Sequence, residues 1–414
     1  MFKKIWFYIH WFLGLVAGII LLVVGLTGSI LSFEKEILHL MNQKSYFVQV
    51  SDSERLSPDA LLNSFKEKMP EAKISSMTLF LNPKASAVIA VQSPNAQGQS
   101  GGHGGGHGKN TISHFVNPYT GEILPQAKGV EFFRIVLDLH RRLMAGAVGK
   151  QIVAASTVAL IILSLTGVYL YWGSIRRSLK SSLSINFKVK GRGFLYKLHS
   201  ASGLWMLPFL LLISLTGLFW SYEWYNEALY KIAGVEKPKK NMNQQQTKVQ
   251  DKDRPMVDES IPNKPSGERG EKGSRGAEAL SGLAGQNITR AWNVFNSSVG
   301  HSYESATLRM PISGTKYDFS YLDKDAQHTR TRNSLFVDIK EGKVLSHTRY
   351  DEKRINEKIM VSMLPLHSGE YFGIIGRIWV FLASNGMLLF GITGLMLYLD
   401  RRKKAQIRVQ RAGQ

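Results

Sequence analysis

The stretch LYKLHSASGLWMLPFLLLISLTGLFW, residues 195–220, has the composition of a membrane-spanning helix. From residue 201 onward it is almost entirely apolar, over the roughly 20 residues that a helix needs to cross the hydrocarbon core of a bilayer. Three more apolar runs of similar length occur, at 5–33, 148–172 and 374–399. The sequence of 414 residues therefore predicts four membrane-spanning helices. His199, just before this run, is unusual because a protonatable ring near lipid is costly unless it has a partner.

Basic residues beside the spans predict the orientation. The segment 173–193 has six lysines and arginines and no acid, and the tail from Arg401 begins with RRKK. Such segments stay in the cytoplasm, so both chain ends are predicted there and the long loops at roughly 34–130 and 222–355 in the periplasm of a Gram-negative cell. The first run is about twice as long as a signal-peptide core and lacks a cleavage site, so an uncleaved anchor in the inner membrane is expected.

Charge and cysteine content exclude several classes of protein. The formal net charge is +21, but much of it lies in the predicted cytoplasmic flanks and in a polar insertion, so contact with a lipid bilayer explains it and no nucleic-acid partner is predicted. The chain contains no cysteine, which excludes disulfides, thiolate-held iron–sulfur clusters and covalent haem attachment through C-x-x-C-H. Any redox centre must therefore use other ligands.

The chain contains an internal duplication. An offset of 189 residues superposes His10 on His199, Gly14 on Gly203, and Thr27-Gly28 on Thr216-Gly217. An offset of 227 residues superposes His140 on His367, Gly149 on Gly376, and Thr166-Gly167 on Thr393-Gly394. The repeated unit is a span, an extramembrane domain and a second span. In each extramembrane domain a helical pattern precedes alternating strand patterns, which predicts two small α+β modules.

Six motifs resemble those of a known family: IHWFLGLVAG, VNPYTGEIL, DLHRRLMAG, KLHSASGLW, PLHSGEYFG and GITGLMLY. The chain resembles the PepSY-associated transmembrane proteins, and within them the inner-membrane ferric-siderophore reductases of Gram-negative bacteria. This resemblance covers nearly the whole chain apart from two polar loops. It implies PepSY-like periplasmic domains and a b-type haem membrane protein that passes electrons outward to iron complexes.

The predicted fold class is a mainly α membrane protein, a four-transmembrane-helix bundle with two small α+β PepSY-like periplasmic domains. Low hydrophobic content predicts a disordered insertion at 236–285 and a Gly/His-rich loop at 95–110. The predicted divisions are span 1 at 1–36, periplasmic domain 1 at 37–129, a periplasmic-side helix with span 2 at 130–175, a cytoplasmic basic loop at 176–193, span 3 at 194–232, periplasmic domain 2 at 233–355, a periplasmic-side helix with span 4 at 356–400, and a cytoplasmic basic tail at 401–414.

Four histidines form the predicted site. Repeat symmetry gives His10 and His199 equal depth near the cytoplasmic face, and His140 and His367 equal depth near the periplasmic face. A straight helix from His140 to Tyr171 would rise about 46 Å, so this histidine is expected at or just above the interface. Two imidazole pairs are therefore predicted as axial ligands of two b-type haems, one near each face. A structural role without metal is the alternative. His103 and His107 are expected to lie in a flexible loop, with weak binding of a transition metal as the alternative. The remaining histidines are expected to be ordinary surface residues of the periplasmic domains, one of which could contact an iron complex: His39, His114, His301, His328 and His347.

Cations and small residues near these histidines have two interpretations each. Haem propionates need cations, for which Arg141, Arg142, Lys197 and Arg377 are the candidates; the alternative is interfacial anchoring by snorkelling side chains. Glycines near the histidines either admit a flat macrocycle or serve helix packing. The four Thr-Gly pairs fall at the far end of each span from its own histidine, which favours packing or capping.

The expected function is that of a two-haem reductase of periplasmic Fe(III)-siderophore or another ferric chelate, with release of Fe(II). The tail after Asp400 is short and has no dinucleotide-binding motif, so a separate cytoplasmic flavin reductase or quinol must supply the electrons. Two alternatives stay open. One is a sensory, regulatory or peptidase-interacting PepSY membrane protein without electron transfer, and the other is a b-type cytochrome relay to another periplasmic acceptor.

Overall fold

The computed structural model describes residues 2–93, 111–238, 274–300, 302–310 and 315–412. The loop predicted at 95–110 and most of the insertion predicted at 236–285 lie outside these residues. Residues 274–285 of that insertion belong instead to a helix that begins at Ser274. The sequence there, AEALSGLAG, contains several alanines and leucines, which favour the helical conformation.

Within the described ranges, four long helices are apolar and long enough to cross a membrane, as predicted. They are α1 (Phe2–Leu31), α6 (Gly146–Arg177), α8 (Gly191–Ser221) and α13 (Gly373–Ala412). Helices α1 and α8 each pack against both α6 and α13, so α1 and α8 lie diagonally across a four-helix bundle. One end of the bundle is rich in lysine and arginine and is called the basic side; the opposite end is called the sheet side.

Small residues let the spans approach closely. A Cβ at Gly25 of α1 would lie 2.7 Å from the carbonyl oxygen of Ser384 in α13, so the two backbones touch there. The buried core around this contact is aliphatic and includes Leu21, Leu160 and Leu210. Since lipid is as apolar as leucine, such close van der Waals packing is what holds membrane helices together.

Shorter helices surround the bundle. On the sheet side they are α2 (Glu34–Met41), α3 (Gln43–Tyr46), α5 (Val130–Arg142), α9 (Glu223–Ala233), α11 (Ile355–Val361), α12 (Met363–Ser368) and a 3₁₀ turn at Glu370–Phe372. On the basic side α7 (Leu179–Leu183) connects α6 to α8. Helices α5 and α12 each end just before a span, and they carry His140 and His367.

The helix that carries His140 and its span are two separate helices, so the 46 Å rise of a straight helix does not apply. The chain turns between α5 and α6, where Leu143 and Met144 have φ angles of +51° and +57°. Helix α5 then packs against α1. A Cβ at Gly149 would overlap the carbonyl oxygen of Arg142, so only glycine lets this turn lie against the start of α6.

The extramembrane strands that the structure describes form one antiparallel sheet. Its strands are β1 (Ile74–Phe80), β2 (Ala87–Gln92), β3 (Thr111–Val116), β4 (Tyr303–Arg309), β5 (Lys316–Asp323), β6 (Asn333–Asp338) and β7 (Lys343–Thr348). Their order is β3-β2-β1-β4-β5-β6-β7, so the two predicted modules join where β1 pairs with β4. At this junction the hydroxyls of Thr78 and Thr307 are 2.9 Å apart and hydrogen-bonded.

Two helices cover one face of the sheet, α4 (Pro58–Lys68) from the first half and α10 (Ser274–Val299) from the second. Helix α4 begins where the sequence signals it, with the Ser57 hydroxyl accepting from the Ala60 amide at 3.2 Å and proline in the first turn. The two helices pack on each other and on one shared core that includes Phe65, Phe295 and Phe319. The two α+β units therefore do not stand apart as separate cores.

Candidate functional site

The four predicted histidines lie in two facing pairs. The ring centroids of His10 on α1 and His199 on α8 are 6.4 Å apart. Those of His140 on α5 and His367 on α12 are 6.3 Å apart. Because α1 and α8 are diagonal in the bundle, the first pair meets across its centre, toward the basic side. The second pair meets at the sheet side.

A threonine hydroxyl from a neighbouring span lies at hydrogen-bonding distance from Nδ1 of each histidine. The four distances are 2.8 Å for His10 with Thr166, 2.8 Å for His199 with Thr393, 3.0 Å for His140 with Thr27, and 3.0 Å for His367 with Thr216. Each threonine hydroxyl donates its own proton to the carbonyl four residues earlier in its helix, at 2.6 to 2.7 Å. Because the hydroxyl proton is used in this way, the threonine oxygen can only accept a hydrogen bond from the histidine. Nδ1 therefore carries the ring proton, and Nε2 is unprotonated with a free lone pair.

The glycine after each threonine completes a socket for the ring. A Cβ at Gly28, Gly167 or Gly217 would lie 3.2 to 3.4 Å from Cε1 of the neighbouring histidine, and one at Gly394 would lie 3.8 Å away. The interpretation of the Thr-Gly pairs as packing or capping residues was therefore wrong. Neighbouring spans run in opposite directions, which brings the far end of one span beside the histidine of the next. The equal spacing of 17 residues from His10 to Thr27 and from His199 to Thr216 was the available signal.

The second ring nitrogen of each histidine is free to bind something else. Within the part of the chain that the structure describes, no group hydrogen-bonds to any of the four Nε2 atoms. Burial lowers the pKa of His140 and of His367 to about 4, so both rings are neutral at pH 7. A neutral imidazole whose Nδ1–H is held by an acceptor is the usual form of a metal-ligating histidine.

The distance between the rings suits one metal ion per pair. Metal–imidazole bonds of about 2 Å on opposite sides of an ion separate the two ring centroids by about 6 Å. Beside the first pair, Gly14 and Gly203 follow their histidines by four residues, one helical turn. A Cβ on Gly14 would come no closer than 3.8 Å to another atom, and one on Gly203 no closer than 4.0 Å. An added methyl group at either glycine would therefore make an ordinary van der Waals contact, so neither glycine is required by a close helix–helix contact.

The four predicted cations differ in their contacts. Lys197 donates to the Tyr171 hydroxyl at 3.0 Å and to the Ser181 carbonyl at 2.5 Å. Arg142 pairs with Asp138 at 3.4 Å, and Arg377 pairs with Glu36. Arg141 has no hydrogen-bond or ion-pair partner among the described residues. Arg141 adjoins His140 and is half-buried. It is thus the cation of the four best able to meet an external anion.

The sheet is attached to the segment that carries His367. His328, in the loop between β5 and β6, is 3% exposed, and its Nε2 lies 3.0 Å from the Ser362 hydroxyl. In the same loop the Thr329 amide donates to Glu370 at 3.2 Å, and Glu370 also pairs with Lys35 of α2 at 3.0 Å. The expectation that His328 is an ordinary surface residue was wrong, because this loop packs against α12 rather than facing solvent.

Comparison with known proteins identifies the family. The sequence model described as the PepSY-associated TM region matches residues 7–401. An uncharacterized protein of Pseudomonas aeruginosa is 35% identical over 89 residues, and the match covers only 20% of either chain. The family match, by contrast, includes all four spans, all four paired histidines and the sheet. The chain belongs to the family of PepSY-associated transmembrane proteins.

Proposed function

We propose that this protein binds two b-type haems and carries electrons across the inner membrane to a ferric chelate such as Fe(III)-siderophore, which releases Fe(II). The observation that carries this proposal is the pair of facing histidine sites, each with two free Nε2 atoms and ring centroids 6.3 to 6.4 Å apart.

The donor set favours haem over a bare ion. Among the described residues there is no group of three or more histidines, cysteines or acids that could hold a metal. A metal ion held by only two imidazoles needs its remaining ligands from another molecule, and a porphyrin supplies four nitrogens in one plane. With no cysteine in the chain, such a haem would be held without covalent bonds. Haem, when bound, supplies a one-electron redox centre.

The side chains have distinct roles in this proposal. His10 and His199 would be the axial ligands near the basic side, and His140 and His367 those near the sheet side. The threonine hydroxyls fix the tautomer and the orientation of each ring. Arg141 is available to pair with a propionate. In α1, 17 residues separate His10 from the threonine that holds the second pair, a rise of about 25 Å, which is most of the ~30 Å hydrocarbon core.

The sheet would receive the iron complex and the basic side the electron donor. The positive-inside rule favours a cytoplasmic basic side, and hence a periplasmic sheet close to the second pair. Reduction to Fe(II) weakens the hold of oxygen-donor chelators, because they prefer the harder Fe(III) ion. On the basic side the carboxylate of Asp400 is already shared by Arg192 and Lys404, each at 3.5 Å. The remaining positive charge suits an acidic flavin reductase, and a quinol in the bilayer is the other class of donor.

The proposal is tested by mixing pre-reduced protein with ferric chelates under anaerobic conditions. Reoxidation of the protein should match the Fe(II) captured by a ferrous-specific dye, electron for electron. The double variant His140→Ala with His367→Ala is the matched control and should release no Fe(II). If the protein reduces no ferric chelate but does reduce another periplasmic acceptor, it is a b-type cytochrome relay to that acceptor. If the purified protein carries no redox centre, the sensory or peptidase-interacting alternative stands.

A further inference from the structure

One long face of α13 is left uncovered by the other described elements. Helix α13 contacts α1 and α8 with its other sides. The residues on this face recur at alternating spacings of four and three, and five are exposed while Asn385 and Leu389 are half-buried: Ile378, Leu382, Asn385, Leu389, Ile392, Met396 and Leu399. The five aliphatic side chains other than Leu389 are 40 to 57% exposed. We call these seven residues the α13 stripe.

The α13 stripe has the period and length of a helix–helix interface in a membrane. Alternating steps of four and three are those of the a and d positions of a coiled coil. From Ile378 to Leu399 the helix rises about 32 Å, close to the ~30 Å thickness of the hydrocarbon core. The next position in the series is Lys403, so the apolar pattern ends where the span ends.

Asn385 is the exception in this stripe. Two apolar residues of the stripe precede it and four follow, so its half-exposed amide lies about 10 Å along the stripe, within the hydrocarbon core on the side that faces lipid. Its Nδ2 donates to the Phe381 carbonyl of its own helix at 2.9 Å. Its Oδ1 has no hydrogen-bond partner among the described residues, and an unpaired amide oxygen in hydrocarbon is costly.

The position does not require asparagine for the fold of one chain. The duplication superposes Asn385 on Val158 in the first half, and that valine serves in an equivalent span. The residues that hold the histidines use a different side of the helix, since Thr393 is only 2% exposed. An amide on an outer face within the hydrocarbon core therefore calls for a partner outside the chain.

We propose that two copies of this chain form a parallel, two-fold symmetric dimer through the α13 stripe, with the two Asn385 amides hydrogen-bonded to each other. A primary amide has both a donor and an acceptor, so it is complementary to itself. Copies that insert in the same orientation bring the same residue to the same depth, and a two-fold axis then makes the contact reciprocal. This inference does not depend on haem binding.

The charges beyond the stripe limit the interface to the span. In a parallel dimer the RRKK segments at 401–404 of the two copies would lie near each other and repel. The extension of α13 from residue 400 to residue 412 therefore diverges from its copy, where salt and anionic lipid headgroups screen the repulsion. Within the span the contact is uncharged.

Cysteine cross-linking in native membranes tests the dimer, and the absence of native cysteine makes the result unambiguous. Ile392→Cys lies on the α13 stripe, and Leu165→Cys on α6 is its equivalent in the duplication, with exposures of 57% and 56%. Under a membrane-permeable oxidant, Ile392→Cys should form a dimer about fivefold or more above Leu165→Cys. Equal yields, or no dimer from either, would overturn the proposal.

A second set of variants tests the role of the amide. Adding Asn385→Val to Ile392→Cys should reduce the dimer about tenfold, whereas Asn385→Gln should largely retain it. The amount of protein in the membrane and its thermal unfolding midpoint in detergent verify that each variant folds. A cross-link from Ile392→Cys to a different protein would show that the α13 stripe binds another partner. A valine variant that dimerises fully would show that Asn385 has no part in the dimer.

Discussion

At the scale of single residues, the four imidazoles depend on threonines from other helices. The hydroxyl of Thr393 accepts from Nδ1 of His199 at 2.8 Å while it donates to the Leu389 carbonyl at 2.6 Å. Such an outer contact fixes the ring and increases its basicity, and its loss typically costs about 10- to 100-fold in metal affinity. The Thr-Gly sockets should therefore matter nearly as much as the histidines.

Thr393→Val should weaken haem binding at the first pair by about 10- to 100-fold, because His199 loses the acceptor for Nδ1. Thr393→Ser keeps the hydroxyl and should retain binding. Thr157→Val is the control on an equivalent span, since among the described residues its hydroxyl bonds only the Val153 carbonyl of its own helix, at 2.8 Å. Haem dissociation, measured by transfer to an apo-globin, gives the comparison. If Thr393→Val and Thr157→Val behave alike, the socket has no such role.

Combining histidine substitutions tests the pairing. The double variant His10→Ala with His199→Ala should keep one haem, because both substitutions affect the same site. The double variant His10→Ala with His140→Ala should keep none, because each substitution removes a ligand from a different site. Haem per chain, determined from the pyridine haemochrome spectrum and the protein concentration, separates these outcomes. One retained haem in the second variant would refute the pairing.

The residues of the site were only partly predictable from the sequence. His10 and His199 could be paired because the duplication places them at the same depth. Thr166 could not be assigned to His10, since 156 residues separate them and only the antiparallel packing of α1 and α6 brings them together. The burial of His328 was also hidden, because its partner Ser362 lies in a different part of the chain.

At the scale of elements, the turn between α5 and α6 positions His140. The left-handed conformations of Leu143 and Met144 are unfavourable for residues with a side chain and cost of order 1–3 kcal/mol each. Sequence alone could not reveal this turn, because neither residue is a glycine. The spans, in contrast, follow directly from the length of their apolar runs.

Gly149→Ala should displace this turn, because the new Cβ would overlap the Arg142 carbonyl. We expect a loss of about 1–3 kcal/mol in stability and the loss of haem from the second site, with the first site kept. Gly18→Ala is the control, since no atom lies within 4 Å of its added Cβ, and it should be neutral or slightly stabilising. Thermal unfolding and haem content test both variants. Normal haem content in Gly149→Ala would contradict this role of the turn.

At the scale of the whole molecule, the duplication joins its two halves twice. In the membrane, α1 and α8 face each other across the bundle, and outside it β1 pairs with β4 over Ser76 to Phe80. The strands of each module were predictable from alternation, as in β6, where every second residue is buried. Their union was not, because the pattern within a strand does not identify the strand beside it.

Hydrogen exchange should show β1 and β4 to be central strands. Their amides are paired on both sides, so they should exchange far more slowly than those of β7, an edge strand whose six residues are all exposed. Backbone exchange measured by mass spectrometry on the intact protein in detergent gives the comparison. If β1 and β4 exchange as fast as β7, the two modules are separate.

The haem content of the purified protein decides whether the four paired histidines bind haem. Expressed with added haem and purified in mild detergent, the protein should carry two haems per chain and show b-type absorption bands on reduction with dithionite. The variant that lacks all four paired histidines should be colourless yet folded. A folded wild-type protein without haem, or with haem that the fourfold variant retains, would contradict haem binding by the four paired histidines.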